Sequence, residues 1–301
     1  WVLTTAERKR ILLAHIYGVD IDSQAVEVTK LSLFLKVLEG ETAQTVQREL
    51  IQERVLPDLG DNIKCGNSLI DSSFYAQQSL PQMDADAHLR INVFDWTGKD
   101  GFLSIMKAGG FDAVIGNPPY VDVKELPNEI KAALSHSYRS ATQRFDLYVP
   151  FTERGLNLLS KTGKLGFILP SMFMRREYGA SLRRLILELS QVDQVVDFGT
   201  NQVFNGPQNY VAILILNKEK PKHTLDVTRF DRTGLDTREL KAAIEGQDSP
   251  GVARFTLSSN ALNPDTEWQL LNDAQAGLSD RLFADHQPFE TIFQFASEGI
   301  H

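Results

Sequence analysis

Short apolar runs rich in β-branched residues alternate with helical segments along most of this chain, and that alternation restricts its fold more than any other feature. Ile16-Tyr17-Gly18-Val19-Asp20-Ile21 reads as a strand closing on an acid. Ser23 then caps a predicted helix in which Ala25, Val26, Thr29, Leu33 and Val37 recur at helical spacing. Asn62-Ile63-Lys64-Cys65-Gly66 is a weaker strand and Phe111-Asp112-Ala113-Val114-Ile115-Gly116 a strong one. Residues 164–169 read as a continuous buried strand ended by Pro170. Residues 192–198 and 210–216 read as two more strands, joined by a loop of Gly, Asn and Pro. Helices are predicted over 146–159 and 238–244. Alternation of this kind specifies an α/β sheet with helices on both faces.

The pattern divides the 301 residues unevenly. Residues 1–220 carry the sheet, with a polar helical stretch at 41–61 and a Gln-, Ser- and Asp-rich surface insertion at 71–90. Residues 221–265 read as accessory strands with one helix, and 266–301 as a helical connector leaving the sheet. A composition of 42% hydrophobic and 23% charged residues is that of a globular protein and excludes disorder and coiled coil. No apolar stretch approaches a bilayer span and no secretory pattern opens the chain, so a cytoplasmic protein without a membrane partner is expected. The single Cys65 excludes an internal disulfide framework, and the scattered histidines show no paired metal spacing, so no metal site is expected. A net charge of −8 argues against broad, non-specific binding to nucleic acid, which needs clustered cations. Arg175-Arg176 and Arg183-Arg184 are a small basic stretch on a predicted helix, either a solvated face or a DNA-backbone contact. The first residue, Trp1, and the last, His301, read as the ends of a piece of a larger protein.

The chemistry concentrates at Asn117-Pro118-Pro119-Tyr120, directly after a buried strand. Two prolines fix φ and remove two backbone donors, so nearby carbonyls stand without competing N–H groups. Asn117 adds a side-chain carbonyl and Tyr120 a flat aromatic face. Together they offer two acceptors for an NH₂ group on a planar ring and a surface on which to stack that ring. The alternative reading is a rigid turn with no ligand. Its position favours a site, because ligands of open α/β sheets bind beyond the carboxyl ends of the strands.

Five ordered segments then match a known pattern: Ile16 to Asp22, Ile63 to Leu69, Phe111 to Tyr120, Asp146 to Phe151 and Gly163 to Pro170. This series resembles the gamma-class DNA adenine-N6 methyltransferases, above all the methyltransferase part of type IIG restriction–modification enzymes. The resemblance covers about residues 1–220 and implies a Rossmann-like class I methyltransferase sheet with S-adenosylmethionine as cofactor. Magnesium would serve only a nuclease domain outside this chain. The implied partner is double-stranded DNA with one adenine flipped out of the helix. Asn117, Pro118, Pro119 and Tyr120 would be catalytic. Asp20 would take the ribose hydroxyls, while Ile21 and Phe151 would pack on the cofactor's adenine and Pro119 would close that pocket. Asn67 and Ser68 fall in the segment that reads the adenine edge, although the family usually has an acid where Asn67 stands. Phe204 matches the aromatic that holds the flipped base opposite Tyr120.

The resemblance also exposes a departure. Family members carry a Gly-rich loop upstream of the ribose-binding acid, whereas only nineteen residues precede Asp20 and none form such a loop. The sheet is therefore expected to be incomplete at its N-terminal side, and the isolated chain to bind cofactor poorly and to be inactive. Three other readings share some of these features: a nuclease-free phage-defence adenine methyltransferase, a protein glutamine methyltransferase using the same tetrapeptide, and a non-catalytic subunit that folds around a partner. Target sequence, cutting activity and oligomeric state are not encoded in these motifs.

Overall fold

The computed structural model describes residues 3–41, 58–77, 91–142, 144–204, 210–219 and 223–285. Most of the expected helix at 41–61, residues 78–90 of the insertion and the end of the connector lie outside the described residues. The chain divides into two compact units, residues 1–110 with 126–138, and residues 111–125 with 139–301.

The first unit carries α1 (Thr5–His15), β1 (Gly18–Asp20), α2 (Ser23–Leu38), β2 (Ile63–Cys65), α3 (Ser73–Gln77), α4 (Leu103–Lys107) and α5 (Asn128–Ser137). β1 and β2 pair in parallel, Gly18 opposite Ile63 and Asp20 opposite Cys65. Leu12, Val26, Val37, Leu59 and Ile63 form the core that holds α1 and α2 to this ribbon. Asp22, not Ser23, is the N-cap of α2: its carboxylate accepts from the Gln24 amide at 2.8 Å, and a carboxylate at a helix start also meets the positive end of the helix dipole. Phe74 of the expected surface insertion is buried, so α3 contributes to the core. A second cluster packs Tyr17 on Phe102 and Phe94 on Trp96 edge to face, with Phe94 and Trp96 each tilted against Phe102.

The second unit is built on a six-stranded sheet in the order β3-β4-β6-β5-β7-β8. Its strands are β3 (Phe111–Gly116), β4 (Leu159–Pro170), β5 (Gln191–Asp197), β6 (Val211–Asn217), β7 (Thr224–Phe230) and β8 (Val252–Ser258). β3 and β4 are parallel, β6 runs antiparallel between β4 and β5, and β7 and β8 continue the same sheet. The helices are α6 (Tyr148–Leu158), α7 (Ala180–Leu189), α8 (Thr237–Ile244) and α9 (Asp273–Asp285).

Strand periodicity decides which helix covers which face. Ile168, Ile213 and Val196 stand in register across three strands and share a cluster with Leu240 and Ala243 of α8. Leu165 and Phe167 point the opposite way, toward α6. There Gly155 permits a close approach, since a Cβ at that position would lie 2.5 Å from Leu165 Cδ1. The end of α6 is held by Lys218, whose Nζ donates to the Leu156 and Leu159 carbonyls at 3.0 and 3.1 Å. Helix α8 starts on a capping box, Asp236 accepting from the Glu239 amide while Glu239 accepts from the Asp236 amide. At the C-terminal side, Trp268 is not in a helix as expected. Its amide donates to the Met174 carbonyl and its ring packs edge-on against Phe173, and only from Asp273 does a helix begin.

Candidate functional site

In the second unit, β3 ends at Gly116 and the chain leaves the sheet through Asn117-Pro118-Pro119-Tyr120. Asn117 and Pro119 are exposed, Pro118 is buried and Tyr120 is half-buried. The Tyr120 hydroxyl donates to the Ile168 carbonyl at 3.2 Å, and the ring rests on the cluster of Val196, Phe198 and Val211. Burial pushes the phenol up to about 12, so it stays neutral at physiological pH. The corner is thus anchored through Pro118 and Tyr120 while the Asn117 carboxamide faces outward. Val203 packs on the same cluster, which brings the neighbouring Phe204 to this end of the sheet with 43% of its surface exposed.

The exit of the corner is fixed as well. The Leu147 amide donates to the Val121 carbonyl and the Val123 amide to the Phe145 carbonyl, pairing 121–123 antiparallel with 145–147. This short ladder ties the corner to the first turn of α6, which carries the half-buried Phe151. Arg144 reinforces it by gripping Asp122 at 2.7 Å. Asp146, opposite Asp122, is pushed up by burial and then by the Asp122 charge. Near it, the Tyr148 ring is fully buried, and its hydroxyl and that of Tyr178 act on each other. Burial is the largest cause raising both Tyr148 and Tyr178, and each feels Asp146.

The first unit holds the other expected residues. The Asp20 carbonyl accepts from the Gly66 amide at 2.8 Å, which places the end of β1 beside the turn containing Asn67 and Ser68. Asp20 Oδ1 accepts from the Asp22 amide at 2.8 Å, and Ile21 is 54% exposed beside it. An exposed carboxylate next to an exposed aliphatic side chain suits a nucleoside, whose ribose diol needs an acceptor and whose base needs an apolar face. Asn67 Oδ1 accepts from the Leu69 amide, so its NH₂ remains available to donate. The motifs did not point to Asn92. It occupies the left-handed region at φ 47°, and its Nδ2 lies 3.5 Å from the Ile21 carbonyl and 3.3 Å from Cys65 Sγ. The neighbouring Val93 bridges to Asn67.

The basic stretch also resolves. Arg183 is a core residue, 2% exposed, so a solvated face is wrong for it. Arg175 pairs with the buried Asp197 at 2.8 Å, and Arg184 pairs with Asp265. Residues 175–179 form no α-helix but a turn and a single 3-10 segment before α7.

Comparison with known proteins gives a consistent result. The family profile described as Eco57I restriction-modification methylase matches residues 14–204. The type II restriction enzyme and methyltransferase RM.Eco57I of Escherichia coli is 36% identical over 216 residues, covering 70% of this chain and 20% of that protein. The type II methyltransferase M.PaeR7I of Pseudomonas aeruginosa is 33% identical over 235 residues, covering 75% of this chain and 40% of that protein. This chain therefore spans less than half the length of either relative. Among solved structures, a nuclease-deletion mutant of the Type ISP restriction–modification enzyme LlaGI, in complex with a DNA substrate mimic, matches with a TM-score of 0.53 and 17% identity. It covers 86% of this chain and 22% of that one and supports the fold.

Proposed function

The chain belongs to the Eco57I restriction–modification methylase family, and from that premise we propose that it is the catalytic portion of a site-specific DNA methyltransferase acting on the N6 amine of a flipped adenine. The observation that carries this reading is the corner after β3, with an outward carboxamide on a backbone fixed by a buried proline and a half-buried tyrosine. S-adenosylmethionine, when bound, supplies an electrophilic methyl group on a sulfonium.

The protein's task is to make a poor nucleophile attack it. The adenine amine donates its lone pair to the ring and is nearly planar. The Asn117 side-chain oxygen and the Pro118 carbonyl accept its two hydrogens, which draws the lone pair back onto nitrogen. Hydrogen bonds that strengthen as positive charge develops on nitrogen contribute about 1–3 kcal/mol each to lowering the barrier. Tyr120 and Phe204 sandwich the base and hold it for in-line attack. The surplus proton leaves after methyl transfer, so no strong base is required. On the cofactor side, within the first unit, Asp20 takes the ribose, Ile21 gives an apolar face, and Asn67 and Ser68 read the adenine edge.

The edge of β3 supports the expectation that further chain completes this sheet. Ile115 is 86% exposed on a parallel strand with one neighbour among the described residues, whereas strands of parallel sheets are ordinarily covered on both sides. We take the Gly-rich loop to come with that added strand in the full-length protein. The reading is tested by incubating the full-length protein with methyl-labelled S-adenosylmethionine and either duplex DNA or protein substrate. Label appearing as N6-methyladenine in DNA supports it. Label confined to protein, or to cytosine, rejects it.

A further inference from the structure

Arg176 stands apart from the other arginines of its stretch. Its side chain is exposed and pairs with no carboxylate among the described residues, whereas Arg144, Arg175 and Arg184 each hold an acid. Its backbone, by contrast, is fixed. The Arg176 amide donates to the Met172 carbonyl at 2.9 Å, and its carbonyl accepts from the Gly179 amide at 3.1 Å and from Arg183 Nη1 at 2.8 Å. Arg183 also donates from Nη1 to Phe173 and from Nε to Pro264, so a buried guanidinium locks the turn that presents an exposed one. Gly179 closes that turn where no side chain fits, since a Cβ there would lie 2.0 Å from the Phe173 carbonyl oxygen.

Position matters as much as rigidity. β3 and β4 are parallel, so the turn after Pro170 and the corner after Gly116 leave the sheet at the same end. The charges of Arg176 and Arg144 both act on the Tyr178 hydroxyl, and Arg144 holds Asp122, two residues beyond Tyr120. The turn that carries Arg176 and Tyr178 therefore stands at the same end of the sheet as the corner. Of the nearby acids, Asp122 is engaged by Arg144 and Asp146 is half-buried beside Asp122, while Glu177, which follows Arg176 in the turn, is exposed and forms no ion pair with it among the described residues.

We propose that Arg176 holds a backbone phosphate of the DNA strand whose base enters the corner. This rests on the DNA-methyltransferase reading and extends it to a specific contact. Rotating a nucleotide out of the duplex turns the backbone about its flanking phosphates, so an enzyme that flips a base must hold at least one of them. A chain of net charge −8 can do so only through locally placed cations, and a guanidinium on a fixed turn offers its fork of donors without first being ordered.

The test uses the full-length protein and duplex DNA carrying its methylation target, with affinity measured from low to moderate salt. Arg176→Gln should weaken binding about tenfold, equally on target and non-target duplexes, and reduce the slope of log K against log salt by about one. Arg176→Lys should recover most of the slope, because a phosphate accepts a point charge. Arg184→Gln, which removes an arginine already paired with Asp265, serves as the comparison and should leave the slope unchanged. An unchanged slope in Arg176→Gln, with an unfolding midpoint matching the parent, overturns the inference. If the unsubstituted protein neither binds nor methylates DNA, the parent reading fails and this contact falls with it; the two outcomes are told apart by the unsubstituted protein alone.

Discussion

Replacing Arg183 by Met isolates what a buried arginine does in this fold. The side chain is 2% exposed and donates to the carbonyls of Phe173 at 2.6 Å, Arg176 at 2.8 Å and Pro264 at 3.1 Å. Met keeps the aliphatic volume and removes every donor. The Phe173 carbonyl belongs to a fully buried residue, and leaving it unpaired costs about 1–3 kcal/mol. Arg176 keeps its bond from the Gly179 amide and Pro264 is half-exposed, so those two losses cost about 0.5–1 kcal/mol each. Against this, the variant no longer buries a charge, a burden visible in the way desolvation pushes the Arg183 guanidinium below its ordinary value. Relief of about 1 kcal/mol leaves a net destabilisation of about 1–4 kcal/mol, concentrated in the second unit. Urea unfolding gives the total, and hydrogen exchange of peptides over 171–179 and 262–271 shows where it falls. A loss below about 0.5 kcal/mol with unchanged exchange in both peptides would refute the claim that this guanidinium ties the turn to the segment at Pro264.

Other consequences are equally direct. Asn117→Ala, at an exposed position, should leave the unfolding midpoint unchanged and lower kcat for methyl transfer by about 5–150-fold, the loss expected from one acceptor worth about 1–3 kcal/mol in the transition state; steady-state kinetics on DNA decides it. Gly179→Ala should destabilise the second unit by about 1–3 kcal/mol, because the added Cβ collides with backbone that cannot step aside, and circular dichroism melts would register the shift. Asp146 has a raised carboxyl: below the ordinary value of 3.8 it is neutral in both states, and as pH rises through its folded value the native state must carry a disfavoured charge. Asp146→Asn should therefore stabilise the protein at pH 7 and lose that advantage at pH 3.5, and denaturation midpoints at the two pH values give the comparison. Tyr120→Phe removes the bond to the Ile168 carbonyl but keeps the ring, so it should cost about 1 kcal/mol of stability and far less activity than Tyr120→Ala.

The sheet was legible where strands are apolar on both faces, and illegible where they are not. β6 is an almost unbroken run of Ile, Leu and Val, β4 closes with Leu-Gly-Phe-Ile-Leu before Pro170 and β5 carries Val192, Val195 and Val196, and the predicted strands at 164–169, 192–198 and 210–216 match them closely. β4 nevertheless begins at Leu159, through Ser-Lys-Thr-Gly, because Phe111 of β3 pairs there; a partner more than forty residues away makes a strand of a polar run. β7 and β8 alternate polar and apolar residues, and only pairing through β5 shows that they share a sheet with the corner's strand. Arg183 carried a signal that the motifs overrode. In Ala180–Leu189 the buried set is Leu182, Leu185 and Ile186, which puts position 183 on the inner side of the helix and position 184 outside. Asn92 had no such signal, since its place beside Ile21 depends on a bridge between Val93 and Asn67.

The candidate site shows the same division between local and distant causes. Asn-Pro-Pro-Tyr was readable because its chemistry is intrinsic: two fixed φ angles, two missing donors, an amide and a ring. Nothing in four residues, however, makes that corner hold still. Three contacts do so, all from far along the chain: the Ile168 carbonyl on the Tyr120 hydroxyl, the ladder of 121–123 with 145–147, and the Arg144–Asp122 pair. A rigid corner matters because an acceptor that must reorient as charge builds on the amine gives back the stabilisation it offers. Loosening the ladder should therefore reduce kcat even where Asn117 and Tyr120 are untouched. Tightening it should not raise KM for DNA, since the restraint acts on the reacting group and not on the duplex.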